Sequence, residues 1–524
     1  MDRKFLFRLL ILLFVTAGLV YAIMRIDYMR QIVPDEITKS PADWPMANHD
    51  YSNTRAYTGG GINSKSVSKL GLAWSLPITG VSEWGAATTN PLILGSTVYL
   101  QDLKSNIYSI NLTSGKLNWF KNYNLDIAGP NGLAVGWGKI FAQKGHYDLI
   151  AMDITGREIW SQKLSGNPNI GIDVQPSVYD HLIYTSTVPG ANNETFYEGG
   201  SFGTIYALDA ATGQIKWSFD TVDSKDIWGN VKVNSGGGAW YPPAIDLVNK
   251  IMYWGIGNPA PWPGTKDFPN GSSRPGPNLY TSSLVALDHK TGTLKWYNQV
   301  SPHDLFDYDF QASPILTGNM VIGAGKMGKV VAMDRTTGKT LWTTNVGVHL
   351  NDNLKALPAG TTSVSPSPVG GVETMIAYAN GIVFVPVVDL TVQYTPTGFV
   401  ASSFNLAAGK GELVALEAAT GKILWINKFN SIDVGAATAV NDLVFTSTFD
   451  GKIYAYEGKT GKLVWQYQAP GGINGWPAVS GDTIIFPVGM GKNPVLLAFK
   501  IGANVAPGSA TQTSTPAPGK GFQQ

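Results

Sequence analysis

The segment Ser301-Pro-His-Asp-Leu-Phe-Asp-Tyr-Asp309 gathers three carboxylates, Asp304, Asp307 and Asp309, and one imidazole, His303. Asp307 and Asp309 are two positions apart, so in an extended chain their side chains leave the backbone on the same side. Two hard oxygen donors facing one way suit a cation, or a general base working beside one. A solvated acidic loop has the same composition, and a short motif does not separate the two readings by itself. Asp304 reads as a cap of its own turn. His303, a lone imidazole, reads as a residue that orders the loop. As a loop residue that caps nothing, Asp307 is expected to cost the fold little on removal, on the order of 0.5 kcal/mol.

What positions this segment is a repeat. The phrase Ile205-Tyr-Ala-Leu-Asp-Ala-Ala-Thr-Gly-Gln-Ile-Lys-Trp217 returns at residues 284–296, 330–342, 413–425 and 453–465, with weaker copies at 107–119 and 149–160. Each copy predicts a β-hairpin. Its first strand is apolar, Asp or Thr oxygens take up the amides of the turn, Gly supplies a positive φ, and the second strand ends in Trp. A further Trp stands in Leu70-Gly-Leu-Ala-Trp74 with no hairpin before it, whereas Val495-Leu-Leu-Ala-Phe-Lys500 is a first strand with no Trp after it. The two halves complement each other, which predicts a ring whose N-terminal strand completes the last blade and leaves no open sheet edge there. Trp74, Trp119, Trp160, Trp217, Trp296, Trp342, Trp425 and Trp465 then mark eight four-stranded blades of an all-β propeller and are structural, packed between blades. The intervals before Trp217, Trp296 and Trp425 are long, at 57, 79 and 83 residues. Insertions in a closed ring emerge as loops at its ends, where binding residues collect.

Composition agrees. The 524 residues hold 60 Gly, 31 Pro and 16 Trp with only 14% charged, a mix for many short strands and tight turns. A net charge of +1 gives no footprint for nucleic acid. The absence of cysteine excludes disulfides, thiolate catalysis, zinc–thiolate sites and covalent haem attachment. Residues 1–26 hold a basic start and the apolar run 9–24, read as an uncleaved signal anchor in preference to a cleaved signal peptide; both place the bulk of the chain on the periplasmic or extracellular side. Residues 27–42 read as a tether, 43–502 as the propeller and 503–524 as a disordered Ser/Thr/Pro/Gly-rich tail.

The hairpin phrase resembles the tryptophan-docking motif of the quinoprotein alcohol and methanol dehydrogenases, eight-bladed propellers that use pyrroloquinoline quinone (PQQ). Asp43-Trp-Pro-Met-Ala-Asn-His-Asp-Tyr-Ser-Asn-Thr-Arg55 resembles the family's opening segment. The likeness covers residues 43–500 and, from the repeat alone, speaks only for fold. Tyr253-Trp-Gly-Ile-Gly-Asn-Pro-Ala-Pro-Trp262 is similar to the segment whose Asn binds the metal, which implies Asn258. Gly236-Gly-Gly-Ala-Trp240 implies Trp240 as the floor under the quinone ring, and Glu198-Gly-Gly-Ser-Phe-Gly203 implies Glu198 as a metal ligand. Ser301-Pro-His-Asp-Leu-Phe-Asp307 resembles the stretch that ends in the catalytic Asp, so Asp307 is implied as general base and metal ligand. Gly325-Lys-Met-Gly328 places Lys326 near the quinone oxygens, and Thr195 and Glu373 are further candidates to bind the quinone. Members of the family that use a lanthanide resemble the Asp-Tyr-Asp pattern, which implies Asp309 as a ligand. A trivalent ion is better balanced than a divalent one by Glu198, Asp307 and Asp309 with neutral Asn258. Each side chain also has a plainer reading: Asn258 as a turn residue, Trp240 as a core aromatic, Glu198 and Lys326 as surface charges.

The sequence also departs from the family. Its adjacent cysteine pair is absent, Asn131 replaces an Arg, Thr88 a Glu and Glu373 an Asn, and the capping Trp expected near Val434 is missing. The metal side of the site is kept and much of the quinone-carboxylate side is not. The resemblance implies an enzyme that oxidises an alcohol or aldehyde with PQQ and a calcium or lanthanide ion. Its electrons would pass to a separate acceptor, a cytochrome or membrane quinone. The alternative is a non-catalytic propeller serving as an extracytoplasmic binding or assembly scaffold.

Overall fold

The computed structural model describes residue 16, residues 32–190 and residues 199–504. The apolar run 9–24, apart from residue 16, lies outside the described residues, as do Thr195, Glu198 and the tail from 505 onward. Among the described residues no helix is long and apolar enough to cross a membrane.

The repeat folds as its pattern dictates. In the third blade the strands Thr204–Asp209 and Ile215–Asp220 pair antiparallel around the Asp-x-x-Thr-Gly turn, and Asp209 Oδ1 accepts the amides of Ala211 and Thr212 at 3.0 Å each. The first strand of each such hairpin is buried on both faces by its neighbours; Ser283–Asp288 is an example. The second strand, such as Leu294–Gln299, alternates between the core and solvent. Eight sheets of this kind run in order from Leu92–Leu94 to Val495–Ile501. The ring closes as expected: Leu70–Pro77 pairs with Val495–Ile501, with Leu70 opposite Ile501 and Pro77 opposite Val495.

The eight tryptophans act through a hydrogen bond as well as through packing. Each indole N–H donates to a carbonyl of the next blade: Trp74 to Leu112 at 2.8 Å, Trp119 to Ile154 at 3.0 Å, Trp217 to His289 at 3.1 Å, and so on to Trp465, which donates to Leu70 at 3.2 Å and crosses the closure. The turn glycine of the next blade lies flat on the ring. A Cβ at Gly338 would sit 2.4 Å from Trp296, and one at Gly213 2.8 Å from Trp160. Glycine in the turn is therefore fixed by its positive φ and by the indole against it. A β-bulge precedes the turn in each hairpin, as between Ala207 and Leu208, which the repeat pattern did not reveal.

Two segments outside the repeats cover the ring. Residues 32–42, expected as a tether, lie against blades 2 and 3. Ile32 and Val33 are buried, and the Glu36 carboxylate accepts the amides of Trp137 at 3.1 Å and Gly138 at 2.6 Å. Residues 51–57 run along the inner edges of four consecutive blades. The carbonyls of Tyr51, Ser52, Thr54 and Arg55 accept, in order, the amides of Ile245, Leu316, Tyr378 and Ala439. This strap satisfies edges that would otherwise be unpaired at one end of the axis.

Candidate active site at the axis of the ring

Residues 301–309 form no strand, and their shape is set by partners on three sides. Asp304 accepts the amides of Phe306 at 3.1 Å and Tyr308 at 2.8 Å, so it caps its own turn. Burial pushes its carboxyl up to about 6. Buried Arg274 holds the Asp304 carbonyl at 2.5 Å and the Pro261 carbonyl at 3.0 Å, and the Tyr308 hydroxyl donates to the Pro366 carbonyl at 2.9 Å. His303 meets the carbonyls of Gly276 and Asn270 at 3.1 and 3.4 Å and orders the loop, as read from sequence.

Asp307 and Asp309 point the same way, but not because the chain is extended there. Asp307 has φ 68°, in the left-handed region. Both carboxylates close on Lys326: its ammonium lies 3.1 Å from Asp307 Oδ2 and 2.6 Å from Asp309 Oδ2. All three side chains are nearly inaccessible, at 6%, 1% and 11% exposure. Lys326 reaches them because its amide donates to the Asp309 carbonyl at 2.9 Å, at the turn between Met320–Gly325 and Lys329–Asp334. Burial and the like charge of Asp309 push the Asp307 carboxyl up, and Lys326 opposes them. Asp307 Oδ1 is buried without a hydrogen-bond partner.

Asn258 joins this group through its backbone, whose amide donates to Asp309 Oδ1 at 2.6 Å. Its side-chain nitrogen donates to the Pro259 carbonyl at 3.1 Å. Gly257 makes the approach possible: a Cβ there would meet Asp309 Oδ1 at 3.0 Å and Trp240 Nε1 at 3.1 Å. The glycines before Trp240 are required in the same sense, since a Cβ on Gly236 would lie 2.5 Å from the Asn258 carbonyl oxygen.

Asp307, Asp309 and Lys326 stand in the wall of a cavity of about 500 Å³ on the ring axis. Trp240, Tyr241, Gln311 and Trp476 line it, as do Thr88, Glu373 and Val434, three of the positions where the sequence departs from the family pattern. The fourth, Asn131, is buried behind Thr88, whose hydroxyl donates to it at 3.3 Å; its own amide holds the carbonyls of Gln101 and Asp102 at 3.2 Å each. Sequence reasoning missed Asp173, which lines the cavity from blade 3 and accepts the Gly129 amide at 3.1 Å. It also missed an apolar mouth. There Trp262 stacks on Phe399 with centroids 5.6 Å apart and planes at 15°, next to Phe404, Leu406 and Phe449. Phe399 stands on the small sheet Thr362–Val364, Val392–Thr395 and Gly398–Phe399, inside the longest interval of the repeat.

The donor set suits one hard cation. Asp307 brings an orphaned oxygen, and Asp309 stands beside it across the Lys326 ammonium. Glu198, the further ligand implied by the resemblance, lies outside the described residues, and among those described no three carboxylate or imidazole side chains converge as a ligand cluster. Trp240 offers an aromatic face in the cavity wall. Toward blades 1, 3 and 6 the walls carry carboxyls, and among the described lining residues Lys326 is the one cation. Burial pushes Glu373 up to about 7 and Asp173 up to about 8, so near neutral pH these can donate hydrogen bonds to an anionic group as neutral acids.

Asp173 yields a stability test. Its folded-state value lies above the ordinary 3.8, so its contribution is fully present below about pH 4 and is lost as pH rises through 8. Between those limits the native protein should lose up to about 1.4 kcal/mol per pH unit relative to Asp173→Asn. Melting temperatures of both proteins from pH 5 to 9 check this; parallel curves would contradict it.

Comparison with known proteins agrees with the propeller fold. The family described as "Glucose/ethanol/alcohol dehydrogenase, beta-propeller domain" matches residues 138–348, and that described as "Outer membrane protein assembly factor BamB" matches 71–186 and 395–498. The quinohemoprotein alcohol dehydrogenase of Comamonas testosteroni is 26% identical over 87% of this chain and 73% of its own. The lanthanide-dependent methanol dehydrogenase of Methylorubrum extorquens is 25% identical over 83% of this chain and 84% of its own. The crystal structure of the Comamonas protein superposes with a TM-score of 0.78 at 22% identity, covering 95% of this chain and 85% of that one, which shows the shared fold.

Proposed function

We propose that this chain, similar along most of its length to the PQQ-dependent dehydrogenases, is an oxidoreductase that oxidises alcohols at the axis of its propeller. The observation that carries the reading is the buried group Asp307–Lys326–Asp309, set with Trp240 in the wall of one cavity. Asp307, Asp309, Asn258 and Glu198 would hold a calcium or lanthanide ion, and Trp240, Lys326, Glu373 and Thr195 would hold the quinone. When bound, the quinone supplies the hydride acceptor and the ion a Lewis acid.

The protein's own part is proton transfer and positioning. Lys326 occupies Asp307 Oδ2 and leaves Oδ1 as the oxygen that takes the alcohol proton. Burial raises the Asp307 carboxyl and the ammonium opposes that rise, favouring the ionised form that acts as base. Trp240 fixes the ring plane, and the glycines around it keep the floor close to Asp309. Without cysteine the chain attaches no haem, so electrons leave to a separate acceptor, a cytochrome or membrane quinone. The basic start and apolar run 9–24 support export to the extracytoplasmic side.

The mouth suggests the substrate class: primary alcohols or aldehydes with a bulky apolar group. Trp262, Phe399, Phe404, Leu406 and Phe449 offer nothing to a methanol molecule but would bury an aryl or branched alkyl group. Phe399→Ala should lower kcat/KM for a bulky alcohol about tenfold or more and leave ethanol nearly unchanged, as expected for loss of apolar contact. Equal losses on both substrates would assign the stack to the fold instead.

The test of the reading is dye-linked alcohol oxidation by purified protein incubated with PQQ and either calcium or lanthanum. Turnover that requires both supports it, and none with any alcohol or aldehyde contradicts it. The assembly-factor match favours a second reading, a scaffold without catalysis. A scaffold has no use for buried carboxylates clustered at its axis, which weighs against it.

A further inference from the structure

We propose that Lys326 is a built-in competitor for the cation of this site, so that an ion held by Asp307 and Asp309 must share or displace its ammonium. The inference rests on reading the pocket as a cation site and concerns what sets its selectivity. Asp309 has both oxygens engaged: Oδ1 accepts the Asn258 amide at 2.6 Å, and Oδ2 faces the ammonium at 2.6 Å. Asp307 has one oxygen on the ammonium and one without a hydrogen-bond partner. The second aspartate of the pair is thus matched by a cation that the chain itself provides.

The backbone of Lys326 is held in place and its side chain is largely covered. Its side chain is 11% exposed, and its amide is tied to the Asp309 carbonyl at 2.9 Å. Gly371 packs on its backbone, where a Cβ would lie 2.2 Å from the Lys326 carbonyl oxygen. An ion sharing the carboxylates therefore meets a unit positive charge a few ångströms away in a buried setting. Repulsion grows in proportion to the ion's charge, so it weighs more on a trivalent ion than on a divalent one. The extra carboxylate of Asp309 and the ammonium of Lys326 then offset each other, and the site is less selective for trivalent ions than its count of carboxylates suggests.

The test is cation binding without cofactor or substrate. Terbium luminescence sensitised by tryptophan and calcium competition are measured at one pH on the wild type, Lys326→Met, Lys326→Gln and Lys326→Arg. Glutamine can still donate to the carboxylates without charge, which guards against a methionine variant that does not fold. The neutral variants should bind terbium tighter by on the order of tenfold or more and calcium tighter by a smaller factor, with arginine near the wild type. Equal or weaker terbium binding in a folded neutral variant, while the wild type binds, overturns the competition and leaves the cation site standing. Failure of every protein, neutral variants included, to bind either ion overturns the cation site and this inference together.

Discussion

Asp307→Asn should lower alcohol oxidation by about 10²–10⁴, the usual loss for a missing general base. The loss should be the same in calcium and in a lanthanide if proton transfer is the role of Asp307, and larger in one of them if metal binding is the greater part. Asparagine is a better test than alanine on this backbone. Asp307 sits at φ 68°, where asparagine is tolerated and alanine is strained. The structure also revises the stability cost expected for a loop residue. Asp307 is buried and paired with Lys326, so its removal leaves a buried ammonium on Asp309 alone and should cost about 1–3 kcal/mol. Circular dichroism and a denaturant midpoint separate that cost from the loss of turnover. A folded Asp307→Asn that still oxidises alcohols at the wild-type rate with both metals would return residues 301–309 to an acidic loop.

The fold was legible because one pattern carries it. Strand, turn and docking tryptophan recur as a unit, and the unmatched halves at Trp74 and Val495 fix how the ring closes. The site was legible where a residue is held by local sequence. Gly257-Asn258 and Gly236 to Trp240 can pack only with glycine, and Lys326 stands at a fixed place in its hairpin. What remained hidden depends on partners from distant blades. Nothing near Asp307 in sequence announces that Lys326 bridges it to Asp309, or that Arg274 fastens the loop from behind. The apolar mouth escaped for the same reason, since Trp262 and Phe399 come from insertions of different blades and have no repeat to set their register.

Yet the cavity has an order that the repeat contains. Its walls include the residues just before the innermost strand of six of the eight blades: Thr88 before Leu92–Leu94, Asp173 before Ser177–Tyr179, Trp240 before Ala244–Asp246, Gln311 before Ile315–Thr317, Glu373 before Ala377–Ala379 and Trp476 before Ala478–Ser480. The departures from the family pattern at Thr88, Glu373 and Val434 fall on this register. They exchange side chains on the cavity wall and leave the blades untouched.

Arg55→Met should destabilise the protein by about 3–5 kcal/mol, the usual scale for breaking a buried charged network. The Arg55 guanidinium is fully buried and has no carboxylate among its hydrogen-bond partners. It donates to the Ala437 carbonyl at 3.0 Å, the Thr438 hydroxyl at 2.8 Å and the Pro477 carbonyl at 3.2 Å, and to Asn48 and Asn90 at 3.1 and 3.4 Å. Its plane lies near Trp44, with 5.3 Å from the carbon to the ring centroid. One side chain thus ties the strap to blades 1, 7 and 8, around the seam where the ring closes. Burial pushes the guanidinium down to about 9, so desolvation costs it stability that these oxygens must offset. A methionine fills part of the volume but leaves five or more acceptors without a donor, and no water path is needed for that to hurt. The loss should appear first at the seam. Limited proteolysis should cut Arg55→Met between the strap and blade 8 under conditions that spare the wild type, and denaturant midpoints should fall accordingly. A midpoint within about 0.5 kcal/mol of the wild type, the range of an ordinary surface change, would mean that the tryptophan ladder closes the ring without the clasp.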